Sequence, residues 1–531
     1  MSSMAPSRAI DPELVFATIR PVGTPDDKLM MALKGTLLSY GYRCLDIKLS
    51  TILSDHALER GEPIPERPEH DRINLLMDEG DLLCRQRRDA AAVVQEGIRQ
   101  LRAYRQDVTG DGRPMNVTER AAEALPRMAY IFDSLKRPAE VQQLRDIYGD
   151  RLLVISLQAS LATRRSELRG LIKPYAPGSE SEVGRVVEQL IERDLAESDD
   201  DYDQHMQRTF PMADVFIDID QRVESKLQRV LDRLFGSPEY DLPTPAEYGM
   251  HLAHVSRTRS PELGLKVGAA VVTDEFAVLS LGANSHPVPS GTPAYDASML
   301  DIHELVLDTL NRLSSETLSD SAMARLEQDG RQYVAELLGG VLRRARVRDL
   351  TEFQPTVHAE MNALLDALRR GVSLERATMY VTAYPCHNCA KHLLAIGLPV
   401  RYIEPYPKSR AQAMFGDTVT ASFLPFTGIA PRRYEALFID DADRKNPDGA
   451  RKPWGNEEKH TAQPRVDGKI DQRGIADRED AAITPQEDVV ASAEAQNAGI
   501  NAAPSAVEGA VLESRNKNGD DDDSAPEMGT T

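Results

Sequence analysis

The chain of 531 residues has few cysteines, few basic residues relative to acidic ones, and no long apolar runs. Four cysteines are too few for an oxidised, disulfide-stapled scaffold. No apolar stretch approaches the roughly 20 residues of a membrane-spanning helix, and no charged, apolar, small-residue leader opens the sequence, so a cytoplasmic protein is expected. Lys and Arg number 63 against 84 Asp and Glu, a formal charge of −21. That deficit argues against a broad polynucleotide-binding surface, although a local basic groove stays open. At 41% hydrophobic content the length supplies material for at least two cores.

Three regions separate along the chain. In residues 1–236, β-type runs at Leu14 to Ile19, Tyr42 to Ile47, Ala129 to Phe132, Leu152 to Ile155 and Val215 to Ile219 alternate with helical stretches, which predicts a parallel α/β sheet. Gly236-Ser237-Pro238 marks a boundary, and a second α/β unit is expected over 243–440. From 441 to 531 hydrophobic periodicity fades into Asp, Asn, Ala, Pro and Gly, ending near an Asp520 to Asp523 run; an acidic, disordered tail is expected.

The loop after the first strand, Arg20-Pro-Val-Gly-Thr-Pro-Asp-Asp27, sits where a phosphate-binding P-loop would. Arg20 and Pro25 occupy the glycine positions, Asp26 the lysine position and Asp27 the magnesium-hydroxyl position. Two acids there would repel a triphosphate. Gly23, Thr24 and Lys28 are the candidates for a regulatory nucleotide pocket, a structural or interaction role being the alternative. Asp133 follows a strand where a magnesium-binding acid would stand, or else lies in a solvated turn.

The second unit carries the chemistry. His358-Ala359-Glu360 and, downstream, Pro385-Cys386-His387-Asn388-Cys389 supply three zinc ligands, His358, Cys386 and Cys389, and one carboxylate that is not a ligand. Structural zinc closes its tetrahedron with four protein ligands; hydrolytic zinc leaves a position for water. Cys44 and Cys84 lie far off in the N-terminal half, and His387 and His392 are poorly spaced to close the site. Glu360 is placed to take a proton from a zinc-acidified water and deliver it to a leaving amine. Met361, Leu364, Leu365 and Leu368 predict a helix beginning near His358, and Cys386 opens another whose amides favour thiolate.

Other candidates surround this motif. A hairpin is expected around Asp274-Glu275, followed by Asn284, which is suited to a sugar hydroxyl or simply to a turn. Tyr384, with Phe353 and Phe423, is a candidate aromatic wall. Lys266, Lys408 and Arg410 are candidate phosphate contacts, as is Lys391; Lys408-Ser409-Arg410 follows a β run and opens a helix. The long connection from Ser285 to Val357 is helical by pattern, its leucines serving a local core, a lid or an oligomer surface.

Tyr380-Val-Thr-Ala-Tyr-Pro-Cys-His-Asn-Cys-Ala-Lys391 resembles the dCMP deaminase family of the cytidine deaminase-like superfamily. Val357-His-Ala-Glu-Met361, Glu404 to Arg410 and Pro425 to Tyr434, joined to a P-loop kinase-like N-terminal domain, resemble the bacterial anti-phage dCTP deaminases. The resemblance implies a three-layer α/β/α deaminase domain with a five-stranded sheet, a zinc cofactor, and conversion of a free deoxycytidine nucleotide, dCTP or dCMP, to the deoxyuridine nucleotide and ammonia. It also implies nucleotide depletion during infection. A homo-oligomer is expected, with a regulatory partner or nucleotide at the N-terminal domain and no membrane. The rival readings are a tRNA or single-stranded DNA base deaminase, and a non-catalytic nucleotide sensor.

Overall fold

The computed structural model describes residues 11–62, 64, 69–109, 122–175, 179–195, 200–236, 241–287, 297–313, 317–342, 345–350, 355–405, 410–439, 445–450, 459–466 and 472–484. Strands β1 (Leu14–Ile19), β2 (Arg43–Lys48), β3 (Met128–Leu135), β4 (Leu152–Gln158) and β5 (Val215–Asp218) run parallel in the order β5-β4-β1-β3-β2. Every residue of β1 is buried, as a parallel strand covered on both faces requires. Alternation sorts its neighbours: Val15, Ala17, Tyr130 and Val154 meet the helices Ala92–Thr109 and Pro138–Tyr148. Leu14, Phe16, Ile131 and Leu153 meet Asp27–Ser39 and Val223–Phe235. The last of these helices stops at Gly236 in the left-handed conformation, φ 71°.

The second sheet joins β6 (Gly268–Thr273), β7 (Val278–Ala283), β8 (Ala377–Val381), β9 (Val400–Tyr402) and β10 (Phe423–Pro425) in the order β10-β9-β8-β6-β7. The expected hairpin is β6 and β7, antiparallel; β8 is antiparallel to β6 and parallel to β9. Ala270, Val272 and Tyr380 face the helix Pro245–Ser256, while Ala269, Val271, Met379 and Val381 face Ala359–Arg370 and His387–Ala395. These are the three layers anticipated. The connection after Ser285 contains helices Ala297–Arg312 and Asp320–Gly339, which bury Ile302, Val306, Val334 and Leu338 against each other.

The two sheets belong to one compact unit, Met1–Ile483; of the other unit, Thr484–Thr531, only Thr484 is described. A two-residue strand, β11 (Gly428–Ile429), leaves the second sheet's chain segment and pairs antiparallel with β5, completing the first sheet. Beside it lies Glu247, fully buried. Its carboxylate receives Arg229 through both Nη atoms (2.7 and 3.0 Å), the amide of Ile429 (2.9 Å) and the amide of Thr244 (2.8 Å). Met250, Ala253, Phe426 and Ala430 consequently share a core with Val15 and Phe132.

The expectation of a disordered tail from 441 onward fails at Gln472–Ile483, which is a helix packed on the N-terminal sheet unit. Only Ile475 and Ala476 supply well-buried apolar contact; the main anchor is charge, which periodicity does not register. Arg105 lies between Glu13 (Nη2 to Oε2, 2.6 Å) and Glu479 (Nη1 to Oε2, 2.6 Å), and Tyr130 and Tyr148 donate to those same carboxylates. Removing Arg105 would take the paired guanidinium from the buried Glu13 and leave the buried Glu479 paired with Arg102 at 3.3 Å. The Arg105→Ala protein is therefore expected to lose about 3–5 kcal/mol of stability and to become cleavable near 472–483. Thermal unfolding and limited proteolysis read this out, and a wild-type melting curve would refute the anchoring role.

Candidate active site

Two helix starts and one strand end converge. His358 is the N-cap residue of Ala359–Arg370, and Cys386 is the N-cap residue of His387–Ala395, its Sγ accepting from the Cys389 amide at 3.4 Å. The first helix is held against β7 by a glycine: a Cβ on Gly282 would stand 2.1 Å from the Ala359 carbonyl oxygen. Asn362 adds a clamp, donating through Nδ2 to the carbonyl of Ala283 (2.7 Å), to Ser285 Oγ (3.0 Å) and to the carbonyl of Val357 (3.2 Å). His358 thus leaves a turn pinned on both sides.

Among the described residues, one cluster has metal-ligand geometry: His358, Cys386 and Cys389, with ligand atoms all within 4.8 Å. His358 Nδ1 lies 3.3 Å from Cys386 Sγ and 3.5 Å from Cys389 Sγ. Those spacings suit the roughly 3.5 Å edges of a tetrahedron built on Zn–N and Zn–S bonds. One imidazole and two thiols also form a donor set matched to zinc. His392 is exposed and His387 lies outside the cluster.

The electrostatics fit a site that exchanges metal for protons. Its hydrogen bond with Cys386 raises His358 to about 9, against the opposing effect of burial. Hydrogen bonding from Cys389, ahead of His358, lowers Cys386, while Cys389 is pushed up by its bond to Cys386 and by burial. Burial raises Glu360 to about 7, and it also hydrogen-bonds Cys389. Glu360 is only 4% exposed, yet it reaches the adjoining cavity.

That cavity, about 250 Å³, is lined by Glu262, Gly264, Leu265, Val267, Asn284, Thr356, His358, Ala359, Glu360, Ala383, Tyr384 and Cys386. Asn284 and Tyr384, both sequence candidates, are there. Asn284 spends its amide on the backbone, Oδ1 accepting from Val267 N (2.8 Å) and Nδ2 donating to the Leu265 carbonyl (2.9 Å). Lys266 and Arg410 are exposed and absent from the described lining, as is Lys391, which bonds Asn388. Lys408 and Phe353 lie outside the described residues. Phe423 stacks edge-on behind Tyr384 at 6.0 Å. Sequence reasoning missed Glu262 and Thr356, which hydrogen-bond each other at 3.0 Å; neither sits in a pattern that marks it out.

The N-terminal candidates do not form an open cradle. Val22 N donates to Asp194 Oδ2 (2.8 Å), so a carboxylate already takes an amide of the loop. Gly23, φ 76°, lies against the Arg164 carbonyl and Leu168, where a Cβ would come within 2.8 Å of either. Arg20 pairs with Asp133 (3.4 Å) and Asp26 (3.6 Å). Thr24 is buried, and Lys28 is exposed.

Zinc requires neutral imidazole and two thiolates. In the metal-free protein His358 holds its proton below about 9 and Cys389 retains its own, whereas Cys386 is already deprotonated at neutral pH. Zinc uptake at pH 7.5 is therefore expected to release about two protons, and affinity should weaken as pH falls. Calorimetry in buffers of different ionisation enthalpy measures the count; uptake without proton release would contradict these assignments.

Comparison with known proteins places this site. Residues 243–403 match the family described as "Cytidine and deoxycytidylate deaminase zinc-binding region". The deoxycytidylate deaminase of Enterobacteria phage T2 is 49% identical over 55 residues, 10% of this chain and 29% of that protein. The probable deoxycytidylate deaminase of Drosophila melanogaster is 24% identical over 152 residues, 29% of this chain and 55% of that protein. A crystal structure of dCMP deaminase from the cyanophage S-TIM5 shows 18% identity over 34% of this chain and 94% of its own, with a TM-score of 0.20. The chain thus spans less than a third of the phage T2 relative. The His358, Cys386 and Cys389 cluster thus lies inside the residues that match the cytidine and deoxycytidylate deaminase zinc-binding region.

Proposed function

We propose that the chain hydrolyses the exocyclic amine of a free deoxycytidine nucleotide, dCTP or dCMP, giving the deoxyuridine nucleotide and ammonia. The observation that carries this reading is a buried carboxylate, Glu360, at a three-ligand metal cluster that opens into a cavity of about 250 Å³. His358, Cys386 and Cys389 hold the zinc, which when bound supplies an acidified water as nucleophile. Glu360 would take one proton from the attacking water and pass it to N3 of the ring as the oxygen adds to C4, then take the remaining hydroxyl proton and deliver it to the exocyclic amine, which leaves as ammonia while the C4 carbonyl forms. With its carboxyl raised to about 7 by burial, Glu360 gains and loses a proton near neutral pH, as a shuttle must. Tyr384 offers an aromatic face to the base, and Asn284 shapes the sugar side while presenting its second Nδ2 hydrogen. The relatives are deoxycytidylate deaminases by name, which supports the substrate class.

A free nucleotide is favoured over a polynucleotide by the formal charge of −21 and by the size of the cavity, which is suited to one base and its sugar. A non-catalytic sensor would have no use for the buried Glu360. Depletion of a deoxynucleotide pool in anti-phage defence fits this chemistry, with the N-terminal half, its loop filled by Asp194, Arg164 and Leu168, as the regulatory part.

Four outcomes test this. Glu360→Ala should keep wild-type zinc content while ammonia release falls by about 10²–10⁴-fold; loss of zinc would make Glu360 a ligand instead. Cys386→Ser should lose zinc and activity together. Incubation with a mixture of dCTP, dCMP, CTP, deoxycytidine and single-stranded DNA, read by mass spectrometry, should show conversion of a free deoxycytidine nucleotide, and conversion of DNA alone would reverse the assignment. The same protein should turn over no ATP above background, since acids and a filled loop stand where phosphate would bind; ATP hydrolysis abolished by Asp133→Ala would show a working phosphate site.

A further inference from the structure

One wall of the cavity is secured from outside residues 243–403. The peptide joining Ala383 to Tyr384 lines the cavity and leads directly into Pro385-Cys386. Its amide at Tyr384 donates to Glu404 Oε2 at 3.0 Å. The other oxygen of that carboxylate, Oε1, accepts from Gln207 Nε2 at 3.1 Å. Gln207 belongs to the short helix Met206–Thr209, which is anchored to the N-terminal sheet unit: Thr209 Oγ1 donates to the Lys136 carbonyl (3.1 Å), and the next residue, Phe210, accepts at its carbonyl from Ser156 on β4 (2.8 Å). The Tyr384 ring meets Tyr402, on the strand that leads to Glu404, at 4.7 Å and 85°.

A carboxylate with one oxygen on a site amide and the other on a neighbouring unit's carboxamide transmits position. If the carboxamide moves, the carboxylate must rotate or lose a bond, and the amide it holds is the one that sets the Tyr384 face. We infer that Glu404 is a positioning residue for substrate, and that through Gln207 the N-terminal unit sets the Tyr384 wall against which the base binds. This rests on the reading of the cavity as a deoxycytidine nucleotide site. Neither residue belongs to the metal cluster, so the expected effect is on substrate binding and not on zinc.

The pair permits a reciprocal test in the full-length zinc protein. Gln207→Glu sets two carboxylates against each other; adding Glu404→Gln restores one donor facing one acceptor while keeping an oxygen for the Tyr384 amide. In Gln207→Glu, KM for dCTP or dCMP should rise about tenfold with kcat within about threefold, the pattern of lost ground-state positioning. Zinc content should be unchanged, and the Gln207→Glu, Glu404→Gln double variant should recover most of the KM. Hydrogen exchange gives a readout independent of turnover: the Tyr384 amide should exchange at least about tenfold faster in Glu404→Ala and in Gln207→Glu, and return toward wild type in the double variant. Unchanged exchange and unchanged KM in Gln207→Glu, or a loss that the double variant does not rescue, would overturn the inference. If wild-type protein deaminates neither nucleotide while the exchange pattern follows this course, the coupling stands and the substrate reading fails.

Discussion

Glu247 is the interaction on which the architecture turns. An isolated buried carboxylate is costly, and this one is stable because charge and geometry are both met: a bidentate guanidinium from Arg229, the Ile429 amide and the Thr244 amide. Those three partners come from the last helix of the first sheet unit, from the added edge strand, and from the cap of the helix that covers the second sheet. One anion therefore fixes the mutual placement of both sheets. Everything that approaches the cavity from the N-terminal side, Gln207 included, inherits its position from that joint.

The cavity itself works by opposition of environments. Helix starts and a short network lower one thiol and raise its neighbour, so the cluster is half prepared for metal before metal arrives. Glu360 is set apart by depth: burial keeps its carboxyl near neutrality, where the ring and leaving amine require protons. Close backbone contact at Gly282 and the Asn362 clamp hold these groups without any side chain having to move aside.

Much of this was legible in the sequence, for identifiable reasons. The five parallel strands appear as apolar runs because both sheet faces are covered, and the metal cluster appears because its ligands lie on short, regularly spaced motifs. Asn284 and Tyr384, named from the sequence as substrate candidates, line the cavity. Glu262 and Thr356 were not singled out, and Glu404 stood only as the start of a motif without a role, since each acts through a partner far away in the chain and no local pattern records the pairing. The same reason hid Gln472–Ile483, whose docking depends on Glu479 meeting Arg105. The phosphate-contact candidates Lys266 and Arg410 illustrate the converse: basic residues near a motif in sequence remain solvent-facing unless the fold turns them inward.

The antiparallel strand Gly428–Ile429 has a consequence for how the molecule is made. Strand β5 borders the parallel sheet with an open row of amides and carbonyls until this segment arrives from some two hundred residues later in the chain. During synthesis that edge stands exposed while the entire second sheet is still being produced, and an unpaired edge is a template for pairing with other chains. Closing the loop between partners so distant is slow compared with local helix formation. The assembly step that joins the two halves is thus also the step that covers this exposed strand edge.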